Sequence, residues 1–596
     1  MRGFDLGDPS NFETGTLVES GVTEPGLNHF GHATGLLLGS FFREDRFFLV
    51  LSVFIGIFSG LAVVCFRFAI DWCRIYLLGT GAQLSTTRLL LAPSLTGLLI
   101  ALLVIYVFPR VRGSGVNETK AALYIYNGHI PGRTALGKFI TSALAIGSGQ
   151  SLGPEDPSLL IGAALASAIG RRLRLSRERM RLIAPVGAAA GLAAAFNAPI
   201  SAVLFVIEEV IGRWTAGILG SVVLAAVSSV VVMRWFLGSE PLFRIPAVQP
   251  PSPTELLAYG ILGIVGGFAS VVLSSGIGIL RPRFRALPES TQYFQPALAG
   301  LLIGCIALLG APQVMGAGYE YIDQAMHGQF TWQFLAILAV MKIVATMLSY
   351  VSGTPGGMFA PTLFIGAMFG AAVGGAQHAL FHHLAWSPGT YALVGMGVLF
   401  AGFLRAPMTS VFMVLEVSGN YSIILPVIVA NTFAYVISRA LQPVAIFDVL
   451  SRQDGLDLPS MEEQREENIL RVEDAMQPPI APVFDSDELV NWISQLSESE
   501  LPEIALVRLE SSGWCSLTRE EMKVLQNGRN DGAFAAEFFT ERQLPLIHPD
   551  QPLDVALRCV DRWPLVPVVS RADFGKLEGV ISEHDVLERY RDFARE

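Results

Sequence analysis

The fold is decided by two stretches that repeat one another, GPEDPSLLIGAALASAIG at Gly153–Gly170 and GMFAPTLFIGAMFGAAVG at Gly357–Gly374. Their opening Gly, the Pro four positions later, the Ile-Gly-Ala triplet and the closing Gly coincide. A second pair of similar blocks, Val186–Val210 and Val394–Ser418, follows in the same order. Chance similarity between helices rich in Ala and Gly explains the composition, but it explains the matched prolines poorly. The sequence therefore predicts two related halves.

The composition indicates a membrane protein. Of the 596 residues, 52% are hydrophobic and 15% are charged, against about 25% charged in an average soluble protein. A helix that crosses a bilayer needs roughly 20 mostly apolar residues. Runs that approach this length are Phe47–Ile70, Leu89–Val107, Ile218–Phe236, Leu256–Ile279, Phe334–Val351 and Ser422–Leu441. The predicted fold class is an all-α polytopic membrane domain, followed by a soluble α/β region.

The repeated stretches are interrupted by Gly and Pro in matching positions, as in transporters built from repeats. Gly153–Pro157 and Gly356–Pro361 both indicate helix starts, because proline is favoured in a first helical turn. A helix that begins inside a membrane exposes unpaired N–H groups and the positive end of its dipole. Such a start binds an anion without Lys or Arg. Gly113-Ser114-Gly115 has the same character, with a neutral hydroxyl donor, although a plain turn is the simpler interpretation of that motif alone.

These motifs are those of a known family. The three helix-opening signatures, with GLAAAFNAP at Gly191–Pro199 and SGNYSIILP at Ser418–Pro426, closely resemble the CLC family of chloride channels and proton-coupled chloride exchangers. The similarity covers about 47–450. It implies two inverted halves of tilted, broken helices, and a homodimer with one pore in each subunit.

The resemblance also implies roles for individual residues. The anion would be held by a serine hydroxyl, by backbone amides and by a tyrosine hydroxyl, at positions that correspond here to Ser114, Gly115, Met358, Phe359 and Phe447. Glu155 would gate the pore by occupying an anion site when ionised and leaving it when protonated. Glu209 would pass protons from the cytoplasmic side in an exchanger.

The residues themselves support a role for Glu155. A carboxylate inside a membrane costs roughly 2.5–3.5 kcal/mol and is a functional candidate by default. At a helix start it competes with an anion for the same positive dipole end. The alternative is that Glu155 and Asp156 only cap a helix. Of Glu208 and Glu209, one is expected to brace a helix end, as Glu416 does in the repeat, and the other to relay protons.

Two departures from the family pattern matter. The usual Gly-Lys/Arg-Glu-Gly-Pro is Gly-Pro-Glu-Asp-Pro here, so a basic residue is lost and Asp156 is gained beside the gate. We expect this to make the entrance less attractive to anions. The tyrosine position corresponds to Phe447, which has no hydroxyl, so anion binding there is expected to be weaker or to use backbone.

The chain divides into predicted regions. These are a cytoplasmic tail at 1–45, a transport domain at 46–453 with halves at about 46–240 and 255–453, a linker at 454–468, and a pair of CBS motifs at 469–596. Ser582-x-x-Asp585 resembles the CBS signature whose hydroxyl and Asp contact the ribose of an adenine nucleotide, and the copy at Thr518 is degenerate. A purely structural role in dimerisation, with these residues as helix caps, is the alternative.

The predicted function is exchange of chloride for protons across the cell membrane, and a passive chloride channel is the alternative. The chain is not expected to be an enzyme, to require a cofactor or to bind nucleic acid, and its net charge is −10. The arginines between 171 and 181 place their loop, and with it both termini, on the cytoplasmic side.

Three other functions are less well supported. Fluoride exporters of the same family generally lack CBS domains. An intramembrane metalloprotease needs His-Glu-x-x-His, whereas His378-Ala-Leu-Phe-His382 lacks the glutamate. A divalent-cation transporter needs acidic residues along its pore, where this sequence offers amide-rich helix starts.

Overall fold

The computed structural model describes residues 28–79, 85–212, 216–243, 253–381, 387–456, 458, 470–478, 483–485, 492–493, 501–509, 513–527 and 544–593. The chain divides into two compact units, 1–50 and 51–596. In the first unit the structure describes the opening part of the helix α1, Asn28–Leu77, which begins within the predicted tail.

The membrane domain is built from helices of very different lengths. They are α1, α2 (Thr86–Leu102), α3 (Gly115–Tyr124), α4 (Gly132–Gly147), α5 (Glu155–Arg172), α6 (Arg177–Phe196), α7 (Pro199–Phe205), α8 (Ala216–Leu237), α9 (Pro253–Arg285), α10 (Gln295–Leu308), α11 (Tyr319–Met326), α12 (Trp332–Val351), α13 (Phe359–Leu380), α14 (Pro388–Leu404), α15 (Pro407–Ser418), α16 (Ile424–Leu441) and α17 (Ile446–Gln453). Within the described ranges, eight helical segments are long and apolar enough to cross a membrane. All six predicted runs lie inside such segments, which confirms the polytopic helical domain.

The two halves pack their central helices in the same way. In the first half α5 crosses α6 at Gly162 and Gly187, where a Cβ on either glycine would clash with the facing backbone carbonyl. In the second half α13 crosses α14 at Gly366 and Gly395, with the same mutual obstruction. Small residues at such crossings let helix backbones approach closely in membranes. The glycines shared by the repeated sequences are therefore explained by packing.

Matching breaks in the helices produce short segments. The backbone turns left-handed after α6 at Asn197 (φ 56°) and after α14 at Arg405 (φ 61°), and a proline then opens α7 or α15. In the first half α7 continues into a π-helical turn, Val206–Ile211, that carries Glu208 and Glu209. Such turns are rare and often mark functional positions.

The C-terminal region is mixed α/β. Its described strands are β1 (Val483–Asp485), β2 (Ile504–Arg508), β3 (Trp514–Thr518), β4 (Val566–Val569) and β5 (Leu577–Ile581), and its described helices are α18 (Val472–Ala475), α19 (Arg519–Asn527), α20 (Leu553–Val560) and α21 (Glu583–Phe593). β2 pairs antiparallel with β3 and parallel with β1, whereas β4 pairs antiparallel with β5. The α/β fold predicted for this region is confirmed.

Candidate functional site

The starts of α5 and α13 meet inside the membrane domain. Gly153 and Gly357, which stand just before these helices, exchange two backbone hydrogen bonds of 2.8 and 2.9 Å. The helices begin at Glu155 and Phe359, so both predicted helix starts are confirmed. Each start leaves amide groups without partners in its own helix. The pairing therefore gathers amide donors from both halves at one place.

The Glu155 carboxylate is completely buried at this meeting point. The Tyr319 hydroxyl, in the first turn of α11, donates to its Oε1, and the Ala360 amide donates to its Oε2 at 3.3 Å. Both donors come from the second half. The amides of Met358 and Phe359 were predicted to hold the anion. These residues belong to the same helix start, two positions and one position before Ala360. The carboxylate thus lies where helix-start amides favour a negative charge.

A cavity of about 550 Å³ reaches the residues on either side of this contact, Pro154 and Tyr319. Charged side chains of both signs line its wall: Arg67, Asp71, Arg74 and Glu320. Arg74 and Glu320 pair at 3.0 Å, with both side chains more than half exposed. The cavity is therefore a vestibule next to the Glu155 site with charged groups of both signs in its wall.

The Asp156 carboxylate lies on the start of α3. The Ser114 hydroxyl and the Val116 amide donate to its Oδ1 at 2.9 and 3.2 Å, and the Gly115 amide donates to its Oδ2 at 2.9 Å. The Lys138 ammonium is 3.8 Å from Oδ2. Asp156 is 3% exposed, because its side chain turns inward onto the α3 amides. Its expected effect on the attraction of anions to the entrance stays a prediction.

Two buried lysines hold the loops that lead into the helix starts. Lys138 donates to the carbonyl of Gly113 at 2.6 Å, and Lys342 donates to the carbonyl of Gly316 at 2.7 Å. Both ammonium groups also reach a second carbonyl two residues earlier in the chain. Lys138 also has a carboxylate, that of Asp156, within salt-bridge distance. Lys138 therefore fixes the loop before α3, and Lys342 fixes the equivalent loop before α11.

Glu209 lies in a buried ion pair. Its Oε1 accepts from Lys120 at 2.6 Å, and both side chains are almost fully buried. Lys120 is also 3.6 Å from the Asp448 carboxylate. The second oxygen of Glu209, Oε2, is buried without a hydrogen-bond partner among the described residues. One oxygen is therefore fixed by a cation, while the other is left open to a proton or a water molecule.

Phe447 belongs to a buried aromatic cluster. Its ring centroid is 6.2 Å from that of Phe359 and 6.5 Å from that of Phe205. Its carbonyl accepts from the Asn117 side chain of α3 at 2.9 Å. Residue 447 thus combines an apolar ring, which lies against the start of α13, with a backbone contact to α3. The cluster offers no hydroxyl at this position.

Two glutamates cap helices reciprocally between the halves. Glu208 accepts from the Thr409 amide and hydroxyl at 3.0 and 2.8 Å, at the start of α15. Glu416 accepts from the Ser201 amide and hydroxyl at 2.7 and 2.5 Å, at the start of α7. The prediction that one glutamate of each half braces a helix end is confirmed. Glu209, by contrast, pairs with Lys120 instead of capping a helix.

The predicted nucleotide residues are helix caps in this structure. The Ser582 amide and hydroxyl donate to Asp585 Oδ2 at 2.9 and 2.6 Å, at the start of α21. The Thr518 amide and hydroxyl donate to Glu521 Oε2, both at 2.9 Å, at the start of α19. The two copies share this geometry, so the degenerate copy keeps the cap although Glu replaces Asp.

Sequence reasoning did not assign roles to Lys120, Lys138, Tyr319 or Ala360. For the two lysines a signal was present, because an ammonium group inside an apolar helix region is expensive and marks a functional or structural contact. Tyr319 and Ala360 gave no such signal. Their contacts with Glu155 join residues more than 150 positions apart.

A helical membrane domain with two related halves, paired helix starts and buried carboxylates defines a class of ion-transport protein. Residues 96–439 match the family model described as "Voltage gated chloride channel", and residues 535–592 match the CBS domain model. Because the first match spans more than half of the chain, this protein belongs to the CLC family of chloride channels and transporters. It is therefore a multi-pass membrane protein and not an enzyme.

Similar proteins carry two kinds of name. The chain is 33% identical over 425 residues to a ClcB-like chloride channel protein of Ralstonia nicotianae, covering 69% of this chain and 99% of that protein. It is 32% identical over 425 residues to the H(+)/Cl(-) exchange transporter ClcA of Salmonella paratyphi B, covering 68% of this chain and 89% of that protein. Exchangers and a channel are thus both among its relatives.

Solved structures agree with the fold. A slow cyanobacterial Cl-/H+ antiporter superposes with a TM-score of 0.62 at 26% identity, covering 68% of this chain and 97% of that one. A eukaryotic CLC transporter gives the same TM-score at 19% identity and covers 90% of this chain and 97% of that one. At 19% identity the second match shows a similar fold and nothing about activity.

Proposed function

We propose that this protein is a secondary active transporter that exchanges chloride for protons. The observation that carries the proposal is the buried Glu155 carboxylate, which occupies a group of helix-start donors where an anion would be bound. The named exchange transporters among its relatives support the same activity. A passive chloride channel is the second candidate, favoured by the channel name of another relative.

The proposed mechanism couples the two ions through competition. Ionised Glu155 holds the Tyr319 hydroxyl and the Ala360 amide, and these donors then cannot bind chloride. Protonation removes the negative charge that the donors favour, so the side chain leaves and an anion takes its place. The same carboxyl group carries the proton, which links one movement to the other.

The remaining site residues have proposed roles in the same cycle. Chloride is held by the Ser114 hydroxyl, by the amide of Gly115, and by the amides of Met358 and Phe359 at the start of α13. Phe447 closes the site with an apolar ring instead of a hydroxyl. Glu209 relays protons from the cytoplasmic side, and its open Oε2 atom is the position where a proton is received.

The test is flux through the purified protein in liposomes. With a chloride gradient imposed, the wild type should drive protons uphill. Glu155→Gln should still move chloride but no protons, because the amide cannot titrate. Glu209→Gln should also stop proton movement, yet it should leave the response of chloride flux to external pH intact, since that response belongs to Glu155.

A matched control for this assay is Glu289→Gln. Glu289 is an exposed acid of the same domain, in the short helix Glu289–Tyr293, and its loss should change neither flux. Proton pumping that persists in Glu155→Gln would refute the mechanism. A wild-type protein that moves chloride without ever moving protons would be a channel, with Glu155 acting only as a gate.

The arrangement in the membrane is part of the proposal. We propose that the protein lies in the cell membrane with both termini and the CBS region in the cytoplasm, and the arginine-rich loop between α5 and α6 supports this orientation. Arg171 in the last turn of α5 and Arg181 in the second turn of α6 donate to the carbonyls of Ile130 and Leu123, so the end of α3 and the loop before α4 lie at the same face. Membership of the family supports a homodimer in which each subunit has its own pore.

For the C-terminal region we propose an adenine nucleotide site built from Thr518, Ser582 and Asp585. The shared cap geometry of the two copies supports it. Calorimetry of the full-length protein with ATP, ADP or AMP should show binding that Asp585→Ala abolishes. Glu583→Gln, which removes a neighbouring acid outside the cap, is the control. Heat that is absent with all three nucleotides at millimolar concentration would leave the region a structural role.

A further inference from the structure

Asp156 is a buried acid that the proposed exchange cycle does not use. We propose that its carboxylate is a built-in anion that occupies the Ser114 site, so that chloride binds there only by displacing it. The proposal rests on the proposed function, because it concerns the site through which chloride would pass. It adds a second carboxylate, directly after Glu155, to the residues that control the pathway.

The contacts of Asp156 are those an anion would make. Its two oxygens accept from the hydroxyl of Ser114 and from the amides of Gly115 and Val116, at 2.9 to 3.2 Å. The Lys138 ammonium, itself fully buried, stands 3.8 Å away and supplies positive charge. Charge-assisted hydrogen bonds of this kind are the strong ones in proteins. Chloride at the same place would need the same donors.

The contact is not an ordinary helix cap. An acid in a first turn usually stabilises its own helix, but Asp156 lies at the start of α5 while its carboxylate binds the start of α3, more than 40 residues earlier. Ser114 already provides the side-chain cap of α3, by accepting from the Val116 amide at 3.2 Å. The structure of α3 therefore does not require a further carboxylate.

The second half of the molecule supports the same conclusion. Ala360 stands at the position that matches Asp156 in the repeated sequence, and it is fully buried without any charge. Lys342, which matches Lys138, holds its loop there, and among the described residues its hydrogen bonds go to the backbone carbonyls of Val314 and Gly316. The scaffold thus forms in one half without the acid, which indicates that the acid serves the ion pathway.

The two consecutive acids point to different groups of donors. Glu155 reaches the starts of α11 and α13, whereas Asp156 reaches the start of α3. In this state both groups are occupied by side chains of the protein. Removing Asp156 should therefore free a complete set of chloride donors without disturbing the donors that hold Glu155.

The experiment is equilibrium chloride binding to the purified full-length protein, measured by calorimetry in a chloride-free buffer. Asp156→Ala copies the residue of the second half, and Asp156→Asn keeps the shape but removes the charge. Both should bind chloride about tenfold or more tighter than the wild type, because the competing carboxylate is gone. Adding Ser114→Ala to Asp156→Ala should reverse part of the gain.

The controls separate this inference from the exchange mechanism. Glu289→Gln removes the same charge elsewhere in the domain and should leave chloride affinity at the wild-type value. Equal affinities in the wild type, Asp156→Ala and Asp156→Asn would overturn the inference, even if the liposome assay shows exchange. Tighter binding in both variants would support it, even if the wild type proves to be a channel. If Asp156→Ala does not fold, Asp156→Asn alone decides.

Discussion

The two halves of the membrane domain share a scaffold but differ in charge. Lys138 and Lys342 hold equivalent loops, matching glycines bring equivalent helices together, and Glu208 and Glu416 cap equivalent helix starts. These shared features concern backbone carbonyls, close packing and caps. Each would be needed by any chain that folds in this way, whatever it transports.

The differences lie in the two acids of the proposed exchange cycle, Glu155 and Glu209, and in Asp156 of the further inference. In the repeated sequences Glu155 is matched by Phe359, Asp156 by Ala360 and Glu209 by Val417. All three residues of the second half are buried and uncharged. The comparison teaches that repetition marks the scaffold and that departure from it marks the ion pathway. Substitutions that treat the two halves alike, or convert one toward the other, can test this.

The largest effect is expected at the buried pair that the second half lacks. Lys120→Met leaves the Glu209 and Asp448 carboxylates without their cation, and breaking such a pair should cost about 3–5 kcal/mol of stability. Lys120→Met with Glu209→Val, which copies Val417, should recover most of it. Thermal unfolding in detergent measures both. A double variant as unstable as the single one would show that Glu209 is not the acid left unpaired.

The next largest effect is the loss of stability when either loop lysine, Lys138 or Lys342, is replaced. Lys342→Met removes a charged donor from backbone carbonyls and should cost about 1.5–3 kcal/mol. Lys138→Met should cost more, because Asp156 also loses its nearest cation. The difference should vanish in an Asp156→Ala background, where only the carbonyl contacts remain. Equal losses in the native background would mean that the lysine does not stabilise the Asp156 carboxylate.

A smaller effect is expected at the reciprocal caps. Glu208→Ala and Glu416→Ala should each lower stability by about 0.5–2 kcal/mol, the range measured for lost helix caps. Glu416→Ala should have the larger effect, since its contacts with Ser201 are shorter than those of Glu208 with Thr409. Unfolding midpoints of the two variants provide the comparison. A large loss of proton coupling in Glu416→Ala would show that this cap is more than scaffold.

The smallest effect is expected at Phe447, in the buried aromatic cluster. Phe447→Tyr adds a hydroxyl donor and should tighten chloride binding by about 0.5–1.5 kcal/mol, the value of one neutral hydrogen bond. Phe400→Tyr is the matched control, because its ring lies in the same cluster, 5.8 Å from that of Phe359, but not at the predicted anion position. Calorimetry of both variants decides. Unchanged affinity in Phe447→Tyr would mean that residue 447 does not face the anion.

Much of this organisation could be predicted from the sequence. Gly and Pro at matching places indicated the starts of α5 and α13, because these residues act locally on the backbone. The bracing role of Glu416 followed from the same repeat. The partners of buried charges could not be predicted, since Asp156 meets Ser114, and Lys120 meets Glu209, only after distant helices have packed. Sequence order alone placed Asp156 beside Glu155, whereas packing brings its carboxylate onto the start of α3.

The reciprocal caps have a consequence for the timing of biosynthesis. The start of α7 is capped by Glu416, which lies 215 positions after Ser201 in the chain. At about 5–20 residues per second, a ribosome needs on the order of 10–40 s to make that stretch. During this interval the Ile200 and Ser201 amides of the nascent first half lack the acceptor that Glu416 later provides. The start of α7 can therefore be completed only after the second half has been made.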